Sequence, residues 1–186
     1  MSINKLIQIV FFILKRNNLS MNYMKLIKLL YLADRAALDA YGETITENSA
    51  VSMDQGPVLS ELYDYIKNSK HDDAQRLWNN YFVKNKHSLD CINTDIDDGE
   101  LCEYEESILE EIDNLYKDKT PWQMVDLVHN VNVCPEWRDP NGSALPIRTN
   151  EVLSYLGYSK EERDFLLKNA TVYKAEHDKL SRVISC

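Results

Sequence analysis

Apolar residues crowd the first segment of the chain: Ile3, Leu6, Ile7, Val10, Phe11, Ile13 and Leu14 fall on nearly every side of a helical wheel. That pattern predicts a central buried helix from about Ile3 to Arg16. Leu26, Leu29, Leu30, Ala33 and Ala37 then recur at the three-and-four spacing of one helix face, with Lys25, Lys28 and Arg35 on another. Ser20 is placed to cap this second helix and Gly42 to end it, so it is expected from about Met21 to Tyr41. A partly polar connector follows, Glu43 to Gln55. Leu59, Leu62, Tyr63 and Ile66 then suggest a third helix starting at Gly56-Pro57, where proline's fixed φ and missing donor suit a first turn.

Helical periodicity lapses from Trp78 to Asn93. Within that stretch Tyr81 to Val83 and Ser88 to Ile92, joined by Lys84-Asn85-Lys86-His87, predict a hairpin. Ile108, Leu109, Ile112 and Leu115 mark a further amphipathic helix from Glu103 to Tyr116, its first-turn acids Glu103, Glu105 and Glu106 suiting the positive helix end. Thr120 and Gln123 form a capping box around Pro121, opening a helix that should end near His129 or Asn130. Pro135, Pro140, Asn141-Gly142 and Pro146 punctuate an irregular stretch before a short helix from Asn150 to Leu156, closed by Gly157. A second capping box, Ser159 with Glu162, starts a last segment in which Leu166, Ala170, Tyr173, His177 and Leu180 keep helical spacing. The fold class expected is mainly α (α+β). Residues 1–158 form a single compact helical domain with a small β-hairpin or short antiparallel sheet. A C-terminal amphipathic helix over 159–186 is expected to pack on it.

The formal charge of −9, from 21 basic and 30 acidic residues, argues against a general nucleic-acid binder, since phosphate contacts need clustered Lys and Arg. Basic partners fit better, although Lys15, Arg16, Lys25 and Lys28 leave room for a local basic patch on the first helices. Four irregularly spaced cysteines, Cys91, Cys102, Cys134 and Cys186, favour reduced thiols in a cytoplasmic protein. The run Ile9 to Leu14 has no small-residue cleavage site after it, and no apolar stretch reaches the roughly 18 to 20 residues of a membrane helix. No membrane association and no cofactor is expected.

Candidate chemistry is thin. Asn93-Thr94-Asp95-Ile96-Asp97-Asp98-Gly99 imitates a calcium loop, but Asp98 takes the glycine's place and Tyr104 the glutamate's. His129 with Cys134, or His87 with Cys91, lacks the paired spacing of a zinc site. None of the five glycines sits in a phosphate-cradling context. A hydrolase built on Asp34, Arg35 and His129 is weighed against a blander reading, in which Asp34 and Arg35 make a surface ion pair or cap a loop and His129 answers free carbonyls at a helix end. Tyr31 and Trp122, inside packed-looking helices, are expected in the core, while Trp137, in a proline-flanked loop between Glu136 and Arg138, stands between core and interface.

Two segments carry more information than the rest: Lys28-Leu29-Leu30-Tyr31-Leu32-Ala33-Asp34-Arg35, and Gly56-Pro57-Val58-Leu59-Ser60-Glu61-Leu62-Tyr63. Together with Thr120-Pro121-Trp122, His129 and Trp137 they resemble the Panacea domain, the SocA-like antitoxin family, over about Asn22 to Tyr158. The resemblance implies the neutralising half of a toxin–antitoxin pair, or a prophage-associated relative, acting by protein contact and not as an enzyme. It implies a cognate protein toxin encoded by an adjacent gene. Its alternatives are an adaptor that hands a client to an energy-dependent protease, and a hydrolase that reverses the toxin's modification. The partner-binding candidates are Tyr31, Asp34, Arg35, Gln55, Gly56, Pro57, Trp122, His129 and Trp137.

Overall fold

In the computed structural model, residues 2–169 are described. The first helix, α1 (Ile3–Arg16), is capped by the Ser2 hydroxyl, which accepts from the Lys5 amide at 3.1 Å. Asn18 and Leu19 then both take positive φ and turn the chain into a short strand, β1 (Ser20–Asn22). This strand displaces the expected helix start. Asn22, not Ser20, caps α2 (Tyr23–Tyr41), its side-chain oxygen accepting from the Met24 and Lys25 amides. Ser20 instead hydrogen-bonds Asp90 across the sheet. Gly42, at φ +77°, ends α2 as the spacing predicts.

The connector after α2 holds a strand, β2 (Ala50–Met53), and Gly56-Pro57 opens another, β3 (Gly56–Leu59), rather than a helix. The pair closes through a two-residue turn at Asp54-Gln55. Pro57 is tolerated because β3 is an edge strand, where a missing N–H costs no ladder bond. The helix the periodicity anticipated begins later, as α3 (Ser60–Lys67). A further short helix, α4 (Asp73–Asn79), was not expected. Its Trp78 is 1 % exposed, packed between Tyr65 and Phe82 with ring centroids 5.6 and 4.6 Å away.

The hairpin forms as β4 (Phe82–Asn85) and β5 (Ser88–Cys91), and β1 joins it in an antiparallel sheet of order β1-β5-β4. Next come α5 (Glu103–Tyr116) and α6 (Pro121–His129), the latter opened by the predicted Thr120–Gln123 capping box. Strand β6 (Leu145–Ile147), hidden in the irregular stretch, completes a second antiparallel sheet, β3-β2-β6. Helix α7 (Thr149–Tyr155) follows, and then α8 over 160–169 with its Ser159–Glu162 cap. Leu166 and Leu167 of α8 pack against the core, whereas Ala170, Tyr173, His177 and Leu180 lie outside the described residues. The architecture is mixed α+β and mainly α.

Helix α2 is the hub, with α5, α6 and β3 packed around it. The acidic face of α5 is used structurally. Lys5 reaches Glu105 at 2.7 Å, and Arg16 reaches Asp113 at 3.0 Å and Glu110 at 2.9 Å, clamping α1 along α5. Lys25 and Lys28 are buried, so α2 does not supply them to the basic patch anticipated on the first helices, of which only Lys15 and Arg16 on α1 are exposed. A charged residue on an otherwise apolar helix reads as solvent-facing; here each instead finds an interior acceptor.

Gly56 sits at φ +97°, and a Cβ on it would lie 2.5 Å from Val128 Cγ2. Gly56→Ala is expected to cost on the order of 2 to 4 kcal/mol, combining left-handed strain with overpacking against α6. Gly142 also has positive φ but nothing within 4 Å of the same atom, so Gly142→Ala should cost only about 1 kcal/mol. Urea midpoints of the two variants measure the difference; equal losses would show that the Gly56–Val128 contact has no energetic weight.

Candidate functional site

Five polar side chains on successive turns of α2 organise one region of the molecule. The Lys25 ammonium donates to the Lys117 carbonyl at 2.6 Å and that of Lys28 to the Pro57 carbonyl at 2.7 Å. The Tyr31 hydroxyl donates to Glu136 Oε1 at 2.6 Å, and Arg35 Nε donates to the same oxygen at 3.0 Å. Asp34 accepts from both the amide and the hydroxyl of Thr46. That hydroxyl in turn accepts from the Asn48 amide at 3.2 Å, and Asn48 Oδ1 accepts from the Glu61 amide at 2.8 Å, serving an orphan N–H in the first turn of α3. The connector between α2 and β2 is thus tied at one end to Asp34 and at the other to α3.

The segment after α6 closes over this layer. The Trp137 indole N–H donates to the Met53 carbonyl at 3.0 Å, and its ring stacks on His129 with centroids 4.1 Å apart. The Arg138 amide donates to Ser52 Oγ. His129 therefore packs as a ring rather than answering carbonyls, and the Asn130 amide closes α6 on Leu127. Asp34 and Arg35 are not paired with each other, contrary to the ion pair entertained from their adjacency: adjacent helical residues point about 100° apart, and each finds its own partner. Nor do Asp34, Arg35 and His129 hydrogen-bond one another as a hydrolytic cluster would require.

Burial sets the titration of these groups. It drives the Lys28 ammonium down to about 7 and lifts the Asp34 carboxyl to about 7, even though the Thr46 and Ile45 hydrogen bonds pull Asp34 the other way. Burial, then Glu136, raises the Tyr31 hydroxyl. The Cys134 thiol, 1 % exposed, is pushed up to about 12 by burial and by Glu136, so it is not a thiolate near neutrality. Burial and the nearby Lys28 lower His129. No group of three or more His, Cys, Asp or Glu among the described residues could hold a metal ion.

Of the nine candidate residues, Tyr31, Asp34, Gly56 and Pro57 are interior. Arg35, His129 and Trp137 are half-buried, and Gln55 is exposed at the β2–β3 turn. Trp122 is 63 % exposed, not in the core as its helix suggested: Met124, Val125 and Val128 form the inward stripe of α6, and Trp122 stands on the opposite side of the first turn. Sequence reasoning missed Lys28, Thr46, Asn48 and Glu136 as members of the network. Lys28 carried a signal as the first residue of the segment Lys28 to Arg35, and Glu136 as an acid beside Trp137 in a proline-flanked segment; Thr46 and Asn48 carried none.

Tyr31, Arg35, Asn48 and Ser49 also line one wall of an open cleft of about 620 Å³, with Ile147 and Arg148 on the other side. A second groove of about 340 Å³ lies by Tyr65, Trp78 and Phe82.

A base that holds its proton less readily when folded makes stability rise with pH, here between about 7 and 10.5, where the unfolded chain binds the extra proton. Relative to Lys28→Met, the wild-type chain is expected to gain stability through that window, with a constant difference below it. Denaturant unfolding of both proteins from about pH 6 to about pH 10 reads this directly. A difference that is flat throughout would mean that Lys28 is not buried as a charge.

No curated protein and no solved structure matches the chain significantly, and no helix among the described residues is long and apolar enough to cross a membrane. A family model described as antitoxin SocA-like, Panacea domain, matches residues 26–138, more than half of the chain. That span begins on α2 and ends at Arg138, enclosing the hydrogen-bonded layer built on Lys28, Tyr31, Asp34 and Arg35. The chain belongs to the SocA-like antitoxin family and carries its Panacea domain.

Proposed function

We propose that this protein is a cytoplasmic antitoxin that neutralises a cognate protein toxin, the product of an adjacent gene, by direct stoichiometric binding. The observation that carries the reading is the family match over residues 26–138. The chemistry of the polar layer is consistent with it. Asp34 spends its oxygens on Thr46, Arg35 spends Nε on Glu136, and the Cys134 thiol is raised and enclosed, so these groups serve as scaffold and not as reactive centres.

Contact with the toxin would fall to those candidates a partner can reach: Trp122 on α6, Gln55 at the β2–β3 turn, Arg35, and the exposed parts of His129 and Trp137. Tyr31, Asp34, Gly56 and Pro57 would act by holding those residues in place. Trp122 is the strongest anchor, because a large exposed aromatic supplies contact area at low entropic cost.

Co-expression with the neighbouring open reading frame tests the role: that product alone should arrest growth, and this chain should restore it only at molar parity or above. Protection at a small fraction of the toxin's level would instead indicate turnover and refute occlusion by binding. For the surface, Trp122→Ala should leave unfolding free energy within about 0.5 kcal/mol of wild type while weakening toxin binding at least about tenfold by calorimetry. Unchanged affinity would place the toxin elsewhere on the molecule.

A further inference from the structure

The cleft between α2, the connector 43–49, β2, β6 and the start of α7 carries several donors without a hydrogen-bond acceptor among the described residues. Arg35 uses only Nε on Glu136; its terminal nitrogens have no hydrogen-bond partner among the described residues. Arg148, on the facing wall where β6 meets α7, is exposed and has no carboxylate partner there either. Asn48 is 9 % exposed, and with Oδ1 committed to the Glu61 amide its Nδ2 is left without a partner. A buried amide N–H₂ without an acceptor is a costly arrangement that a bound acceptor would relieve.

Of the carboxylates nearby, Asp34 is held by Thr46, and Glu136 takes Tyr31 and Arg35 on Oε1 while its Oε2 is enclosed, without a hydrogen-bond partner among the described residues. Arg35, Arg148 and Asn48 line one space of about 620 Å³, and two guanidiniums with a side-chain amide favour a planar, singly charged oxyanion. Between the polar walls, Leu38, Val51 and Val152 offer an apolar floor that fits an aliphatic stem. A phosphate dianion suits the site less well, since Glu47 and Asp34 also line it and the chain as a whole carries −9.

We propose that this cleft is a carboxylate-binding site that receives a glutamate or aspartate side chain from a partner polypeptide, clamped by Arg35 and Arg148 and hydrogen-bonded by Asn48. That the partner is the toxin rests on the antitoxin reading above; the site itself does not.

The test uses the full chain, isotope-labelled for NMR, titrated with N-acetylglutamate N-methylamide, with its glutamine counterpart and with inorganic phosphate. The glutamate probe should produce saturable shifts of the Asn48 side-chain amide and of the Arg35 and Arg148 Nε–H signals, with a dissociation constant on the order of 1 mM, ordinary for a fragment of that size. The glutamine probe should bind at least about tenfold more weakly, and Arg148→Gln, at an exposed position, should cause a similar loss in an otherwise unchanged spectrum. Equal response to glutamine, saturation by phosphate with glutamate silent, or no shift at several times that concentration would each overturn the proposal. If Arg148→Gln loses the probe yet neutralises the toxin fully, the toxin is not the donor of the carboxylate, and the antitoxin reading stands untouched. If the probe binds as expected and no neighbouring gene product is toxic, the antitoxin reading fails and the site remains.

Discussion

A helix that runs through the middle of a domain while carrying Lys25, Lys28, Tyr31, Asp34 and Arg35 must have every one of those groups answered from outside itself. Helical backbone leaves no spare donors or acceptors, and an unanswered polar group in the interior costs on the order of 1 to 3 kcal/mol, more when charged. The partners come from four places: the α5–α6 loop, β3, the connector after α2, and the segment after α6, whose Glu136 answers both Tyr31 and Arg35. The irregular parts of the chain are therefore positioned by the polar side chains of one helix. Apolar packing alone, being non-directional, would not fix their register.

Such a layer buys specificity more than stability. Burying Lys28 against a single carbonyl and Asp34 against Thr46 shifts both toward neutrality, which is the mark of groups whose desolvation is only partly repaid. Replacing them with apolar residues of similar volume would leave the helix buried but would release β3 and the connector from α2. The close approach at Gly56 follows from the same constraint. For the Pro57 carbonyl to meet the Lys28 ammonium, the turn before it must come within reach of α6, and only a residue without a Cβ clears Val128.

How much of this was legible depends on whether a signal was local. The spans of α1 and α5 and the opening of α6 could be read because apolar spacing, first-turn acids and the Thr120–Gln123 box act within a few residues of one another. Gly56-Pro57 misled because proline suits an edge strand as well as a helix start, and the choice was made by Ser52 and Val51 pairing across the turn. Strand β6 was invisible for the same reason: three residues around Pro146 become a strand only because β2 offers them an edge. Lys25 and Lys28 were assigned outward because a charge on an amphipathic helix ordinarily faces water, and nothing within the helix reveals that Lys117 and Pro57 present carbonyls to them. The candidate residues are divided by burial in a way that no local signal shows: Tyr31 is enclosed and Trp122 is not.

The division between enclosed and exposed residues bears on recognition. Lys28, Tyr31 and Asp34 with Gly56 and Pro57, which lie in the two segments that carry the resemblance, are consumed by the interior, so they constrain the frame and not the outer surface. A frame of this kind suits a binding protein, because function lives in sites grafted on a fold and the exposed positions can be altered without unfolding it. Arg35 stands at the boundary between the two roles. Its Nε is fixed on an enclosed carboxylate, which restrains the guanidinium plane, while the residue also lines the cleft. Anchoring one edge of an arginine in the scaffold removes most of the side-chain entropy that a free surface arginine loses on binding, so the same hydrogen bond that completes the interior also prepares the surface.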